Sequence, residues 1–158
     1  MQRFLKLALA TLAITSSAAA FAADNSLGSW KLNAEKSKYS PGPLPVKSLS
    51  QTREADGDGV KATTTGERAD GSPINATYTA KFDGSPASVS GQGAPYDTIS
   101  LKKVNDNTFT YETKNSTNKY HASGRIVVSA GGKTMTMKAK GTDGEGKPIS
   151  VTLVYDKQ

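Results

Sequence analysis

Beyond residue 45 the chain alternates apolar and polar positions with the two-residue period of a strand that buries one face. Ile74, Ala76, Tyr78, Ala80 and Phe82 fall on one side, with Asn75, Thr77, Thr79 and Lys81 on the other. Ile99 and Leu101 alternate with Thr98, Ser100 and Lys102, and Phe109 and Tyr111 with Thr108, Thr110 and Glu112. Met135, Met137 and Ala139 alternate with Thr134, Thr136, Lys138 and Lys140, and Ile149, Val151, Leu153 and Tyr155 carry on the pattern. Between these runs, clusters of Gly, Asn, Asp and Pro stand at residues 56–59, 70–73, 83–86, 105–107, 115–118, 130–132 and 143–148. These residue types tolerate the positive φ or fixed φ of tight turns. With a first strand near Trp30 to Leu32 and a weak one near Ser88, the pattern predicts an all-β fold. An even meander with no helix to cover it removes its exposed edges by closing, so the expected architecture is an antiparallel up-and-down β-barrel of about 8 to 10 strands.

One internal echo accompanies the meander. At an offset of 75 residues, Gly66, Gly71, Pro73, Ile74 and Thr77 recur as Gly141, Gly146, Pro148, Ile149 and Thr152. The unit is a strand, a Gly-bounded turn with proline at its exit, and a second strand; a duplication or two hairpins obeying one turn chemistry would both produce it, and the concentration of matches in the turn favours the second. The exception to the alternation is residues 33–45. Asn33 to Ser37 permits one helical turn, and Pro41-Gly42-Pro43-Leu44-Pro45 forces an extended path, either a flap over the barrel mouth or a stiff crossover plugging one end.

The first 22 residues do not belong to this pattern. Arg3 and Lys6 precede a short apolar run from Leu7 to Ile14, a polar break follows, and Ala20-Phe21-Ala22 has the small-x-small form of a cleavage site. The apolar run is far shorter than the roughly 20 residues that span a bilayer, so residues 1–22 read as a secretory signal peptide and residues 23–158 as a single domain, periplasmic or secreted, without an integral membrane segment. Removing residues 1–22 takes away two of the 20 basic residues and none of the 14 acidic ones, leaving a net charge of +4. The lysines are scattered, with no run longer than Lys102-Lys103. That distribution argues for solubility and against a nucleic-acid stripe.

Candidate chemistry is sparse. No cysteine occurs and His121 is the single histidine, which leaves no ligands for a zinc cluster and no expected cofactor. His121 lacks the Ser or Asp context of a nucleophile site. Asp56-Gly57-Asp58-Gly59 fails the spacing of an EF-hand loop, since Val60 stands where a third oxygen ligand is needed, and a hairpin turn explains it. The remaining signal is the set of large side chains on the apolar strand faces. Tyr78, Phe109, Tyr111, Met135, Met137, Leu153 and Tyr155 converge inside a barrel together with Trp30. A barrel of this size either fills itself or encloses a small ligand, and inward alanines at 62, 76, 80 and 139 leave space.

Gly28-Ser29-Trp30-Lys31-Leu32 resembles the G-x-W first strand of the calycin superfamily, the lipocalins and intracellular fatty-acid-binding proteins, and Val154-Tyr155-Asp156-Lys157 resembles the ending of the latter. The resemblance implies a lipocalin-like barrel that carries a lipophilic molecule. It is partial: only about 13 residues follow the first strand where fatty-acid-binding proteins insert two helices, and Leu153 stands beside Tyr155 where they keep a carboxylate-binding arginine. Arg125 lies where those proteins hold another inward basic residue, although its parity opposes Tyr120, Ala122 and Ile126; Arg53 is a weaker substitute. The expectation is an exported barrel that binds a small lipophilic ligand without transforming it, at Tyr78, Phe109, Tyr111, Arg125, Met135, Met137, Leu153 and Tyr155. The alternative is a non-enzymatic envelope structural or interaction protein with a filled core and an unidentified protein partner. Cleavage after Ala22 is testable by N-terminal sequencing of exported protein: a start at Ala23 is expected, and mature material that retains Met1 would contradict it.

Overall fold

The computed structural model describes residues 24–158, so the signal peptide expected over residues 1–22 lies outside the described residues. Eleven strands follow one another: β1 (Gly28–Leu32), β2 (Lys38–Ser40), β3 (Val46–Asp56), β4 (Gly59–Arg68), β5 (Pro73–Lys81), β6 (Asp83–Gln92), β7 (Thr98–Asn105), β8 (Thr108–Lys114), β9 (His121–Val128), β10 (Thr134–Thr142) and β11 (Pro148–Lys157). From β3 to β11 each strand pairs antiparallel with the next, β1 pairs with β3, and β1 also pairs with β11. Ten strands thus close into a barrel and β2 is an additional short strand on β11. Burial alternates as the sequence pattern requires: in β5, Ile74, Ala76, Tyr78 and Ala80 are buried and Pro73, Asn75, Thr79 and Lys81 are exposed.

The two chain-end motifs meet at the seam. Trp30 faces Lys157 and Leu32 faces Tyr155 across β1 and β11. Residues 33–37 then leave the edge in a single turn, closed by the Ser37 amide donating to Ala34 O at 3.3 Å, where one helical turn was expected. Ser37 bridges the gap: its hydroxyl donates to Asn33 O at 2.7 Å and accepts from the Val154 amide at 3.0 Å. Beyond the break, β2 returns to the same edge of β11, with Tyr39 opposite Val151. This strand was not foreseen, because its three residues carry no alternation of their own.

The register of β5 on β6, with Tyr78 opposite Val89 and Asn75 opposite Gln92, centres the reversal on Asp83 and Gly84, within the 83–86 cluster. The Asp83 carboxylate accepts from the Ser85 amide at 2.8 Å and Gly84 takes φ +88°, as a tight turn requires. The same residues shift the register of β6 on β7 between Asp83 and Pro86. The internal echo has a structural counterpart in β4–β5 and β10–β11. Val60, Ala62 and Gly66 face Ala80, Tyr78 and Ile74, and Met135, Met137 and Gly141 face Tyr155, Leu153 and Ile149, with the same register. Both glycines are needed for close approach. A Cβ at Gly66 would stand 2.1 Å from Ser48 O, and one at Gly141 1.8 Å from His121 O.

Packing divides the barrel into halves. At one end Trp30, Val60, Leu101, Phe109, Ile126 and Met135 are essentially inaccessible and fill the interior. Residues 24–27 fold against this end, where the Trp30 indole N–H donates to Ser26 O at 2.9 Å and the Lys157 ammonium lies 5.1 Å from the ring centroid. The outer face carries Lys, Thr and Ser; Val104 and Val127 are its exposed large apolar residues. A barrel facing lipid needs the reverse, an apolar exterior. Trp30→Ala removes the largest side chain of the filled end and is expected to cost about 3–5 kcal/mol, read as a lowered urea midpoint with unchanged slope.

Candidate functional site

The other half of the barrel is hollow. A cavity of about 340 Å³ occupies it, in the range of small-molecule pockets. Its walls are inward residues that precede those of the filled end on β3, β5 and β11 and follow them on β8 and β10, as antiparallel strands require: Leu49 and Gln51 on β3, Ile74, Ala76 and Tyr78 on β5, Tyr111 and Thr113 on β8, Met137 and Ala139 on β10, and Ile149, Val151, Leu153 and Tyr155 on β11. The mouth is bordered by Tyr39 and Pro45 from the proline-rich crossover, by Val46 at the start of β3, by Arg68, by the 93–96 loop, and by Asp143. The crossover therefore rims the mouth rather than plugging an end.

Of the residues expected to bind a ligand, Tyr78, Tyr111, Met137, Leu153 and Tyr155 line this cavity. Phe109 and Met135 do not. Each is the next inward residue towards the filled end, fully buried, with Phe109 packed on Phe82 at 5.0 Å between ring centroids. Arg125 must also be corrected: it is exposed on the outer face, opposite Lys138 and Thr110, because its neighbours Ala122 and Ile126 take the inward parity of β9.

All six tyrosines of the chain line the cavity. Tyr96 comes from the loop between β6 and β7 and stacks on Tyr120, 6.1 Å between centroids and 29° between planes. Gly93, at φ +87°, lets this loop turn inward. Arg68 Nη2 donates to Gly93 O at 2.5 Å and Asn115 Nδ2 to Pro95 O at 3.0 Å, while the Ser116 amide and hydroxyl both donate to Asp97. The loop is thus tied to the end of β4 on one side and to the β8–β9 loop on the other. Burial pushes the Tyr96 phenol well above its ordinary value, and the neighbouring Tyr78, Tyr120, Tyr155 and Tyr111 add to the effect. Tyr111 and Tyr155 are raised for the same reason, Tyr155 despite the opposing charge of Arg53. Burial also raises Tyr120, partly offset by the Thr113 hydroxyl.

Arg53, not Arg125, is the inward arginine. It follows Leu49 and Gln51 on the buried face of β3 and is 1% exposed. Its Nη1 donates to Gln51 Oε1 and to the Tyr78 hydroxyl oxygen, each at 3.3 Å. Nε and Nη2 are buried without a hydrogen-bond partner, and no ion pair among the described residues involves this side chain. The signal that locates it is the i, i+2, i+4 series Leu49, Gln51, Arg53, against the outward Ser50, Thr52 and Glu54.

No protein-family model matches the chain, and no curated protein matches it. Among solved structures it is similar to EF1p2_mFAP2b bound to DFHBI, at 11% identity over 85% of this chain and 94% of that one, with a TM-score of 0.48. It is likewise similar to a redesigned β-barrel, mFAP1, bound to DFHBI, at 13% identity over 84% of this chain and 95% of that one, again with a TM-score of 0.48.

The tyrosines set a pH limit. The folded values of Tyr96, Tyr111, Tyr120 and Tyr155 lie above the unfolded 10.0, so below that pH their titration leaves stability unchanged. Above it the unfolded chain releases protons that the folded chain keeps, and stability falls as pH rises towards the folded values. Phenolate absorbance is expected to grow together with loss of the β-sheet circular dichroism signal above about pH 10. Ionisation of Tyr111 and Tyr155 near pH 10 in a still-folded barrel would contradict their buried assignment.

Proposed function

We propose that this protein is an exported binding protein, periplasmic or secreted, that holds a small lipophilic ligand in the hollow half of its barrel and releases it unchanged. The observation that carries the reading is the cavity itself. A closed floor, apolar walls and an open mouth favour entry of an apolar body, since burial of its surface contributes about 25 cal/mol per Å² before the entropy of association is subtracted. Phenols held neutral by burial are poor bases and nucleophiles near neutral pH, which supports binding without reaction. The export part of the proposal rests on the N-terminal signal pattern.

The test is a fluorescence titration of native protein with phenylnaphthylamine, a neutral environment-sensitive dye. Saturable binding with a stoichiometry near unity is expected. Met137→Trp places an indole in the cavity and should abolish dye binding, while the urea midpoint moves little; in a filled core the same overpacking would cost about 1–3 kcal/mol. Absent dye binding, together with clear destabilisation by the tryptophan, would favour an interaction protein instead.

A further inference from the structure

The floor of the cavity poses an electrostatic problem that an apolar ligand does not solve. Arg53, a guanidinium, is not itself on the cavity wall but is buried behind Gln51 and Tyr78, which are, with two nitrogens unpartnered and no carboxylate paired to it. A buried charge normally has a counter-charge, and its absence marks a position where one is accommodated from outside. The route to it runs through Tyr78. The Tyr78 oxygen accepts from Arg53, so its own hydrogen is left to donate elsewhere, and the Tyr78 side chain lines the cavity. A phenol that accepts from a cation becomes a stronger donor. Tyr155 stands close enough to feel both Tyr78 and Arg53 and also lines the cavity. Two phenol hydroxyls backed by a guanidinium suit an anionic oxygen.

The walls add a second constraint. An acyl chain needs only aliphatic surroundings, but here Tyr96 and Tyr120 present stacked ring faces at the mouth and Tyr111 lies within. Ring faces favour another ring by offset or edge-to-face contact. At about 340 Å³, the space is near the small end of ligand pockets. Resting on the ligand-binding reading above, we infer that the occupant is a compact aromatic anion: its carboxylate, sulfonate or similar anionic oxygen group lies against the Tyr78 hydroxyl above Arg53, and its ring lies among Tyr96, Tyr111 and Tyr120.

A matched pair of dyes separates this inference from carriage in general. Anilinonaphthalene sulfonate and phenylnaphthylamine share one aromatic body, and only the first is an anion. The full chain is expected to bind the sulfonate at least about tenfold more tightly, the scale of a charge-assisted hydrogen bond. In Arg53→Met and in Tyr78→Phe, which keeps its ring, that ratio should fall towards unity, whereas Arg125→Met on the outer face should leave it unchanged. Circular dichroism establishes that each variant folds. Naphthoate should displace the bound sulfonate at lower concentration than hexadecanoate does. Equal binding of the two dyes, or a preference that survives both Arg53→Met and Tyr78→Phe, overturns the anion assignment while leaving carriage standing. Stronger displacement by hexadecanoate overturns the aromatic assignment, and binding of neither dye overturns carriage and this inference together.

Discussion

Closure depends on one strand edge. β11 is long enough to pair with β1 near its end, through Trp30, Lys31 and Leu32, and with β2 nearer its start, through Lys38, Tyr39 and Ser40. Without both contacts, the outer edge of β11 would be left open along part of its length, a row of unpaired N–H and C=O groups that invites association with another chain. The Ser37 hydroxyl spans the gap by pairing with Asn33 O and the Val154 amide, so the edge remains satisfied where the backbone departs from it. Closure also sets the site. β1 puts Trp30 into the filled end, and β2 puts Tyr39 at the rim of the hollow one.

Side-chain volume explains why one barrel has two such different halves. The filled end concentrates Trp30, Leu101, Phe109, Ile126 and Met135 on neighbouring inward positions. The cavity end places Ala76, Ala122, Ala139, Thr64 and Thr113 at corresponding positions, and these cannot meet across the interior. The expectation of either a filled barrel or an open one thus resolves into both, stacked along one axis. The polar residues Gln51 and Arg53 occur where the two meet; Gln51 lines the cavity, and Arg53 is buried beyond it.

Alternation made most of the fold legible. In β5, β7, β8, β10 and β11 the inward set follows from parity alone, because each strand buries one face and a shift of one residue would reverse it. What parity cannot give is depth. Phe109 and Tyr111 share a face, yet one belongs to the packed floor and the other to the cavity wall, and only the stagger of the closed sheet tells them apart. Arg125 was favoured by analogy with other barrels against its own parity, and parity was the better guide. Arg53 was legible by the same rule, but Leu49, Gln51 and Arg53 contain only one apolar residue and so give a weak strand signal. Tyr96 could not be placed from the sequence, since it lies in a loop whose inward course depends on contacts with Arg68, Asn115 and Ser116.

The placement of Arg53 costs stability that only the proposed recognition would repay. A guanidinium with two unsatisfied nitrogens in a closed interior costs free energy, and an apolar residue of similar volume would be neutral or better for folding alone. The packed end, with its dry cluster around Trp30, is what lets the barrel tolerate that cost without disulfides. An anion held through Tyr78 would offset part of it, and any ligand that binds only the folded barrel adds stability in proportion to the logarithm of its concentration. The same geometry limits what can enter: a second cation would face Arg53 at close range in a low-dielectric space where repulsion is weakly screened. On the proposed reading, selection by sign of charge would rest on a single buried side chain, and selection by shape on the six tyrosines that line the cavity.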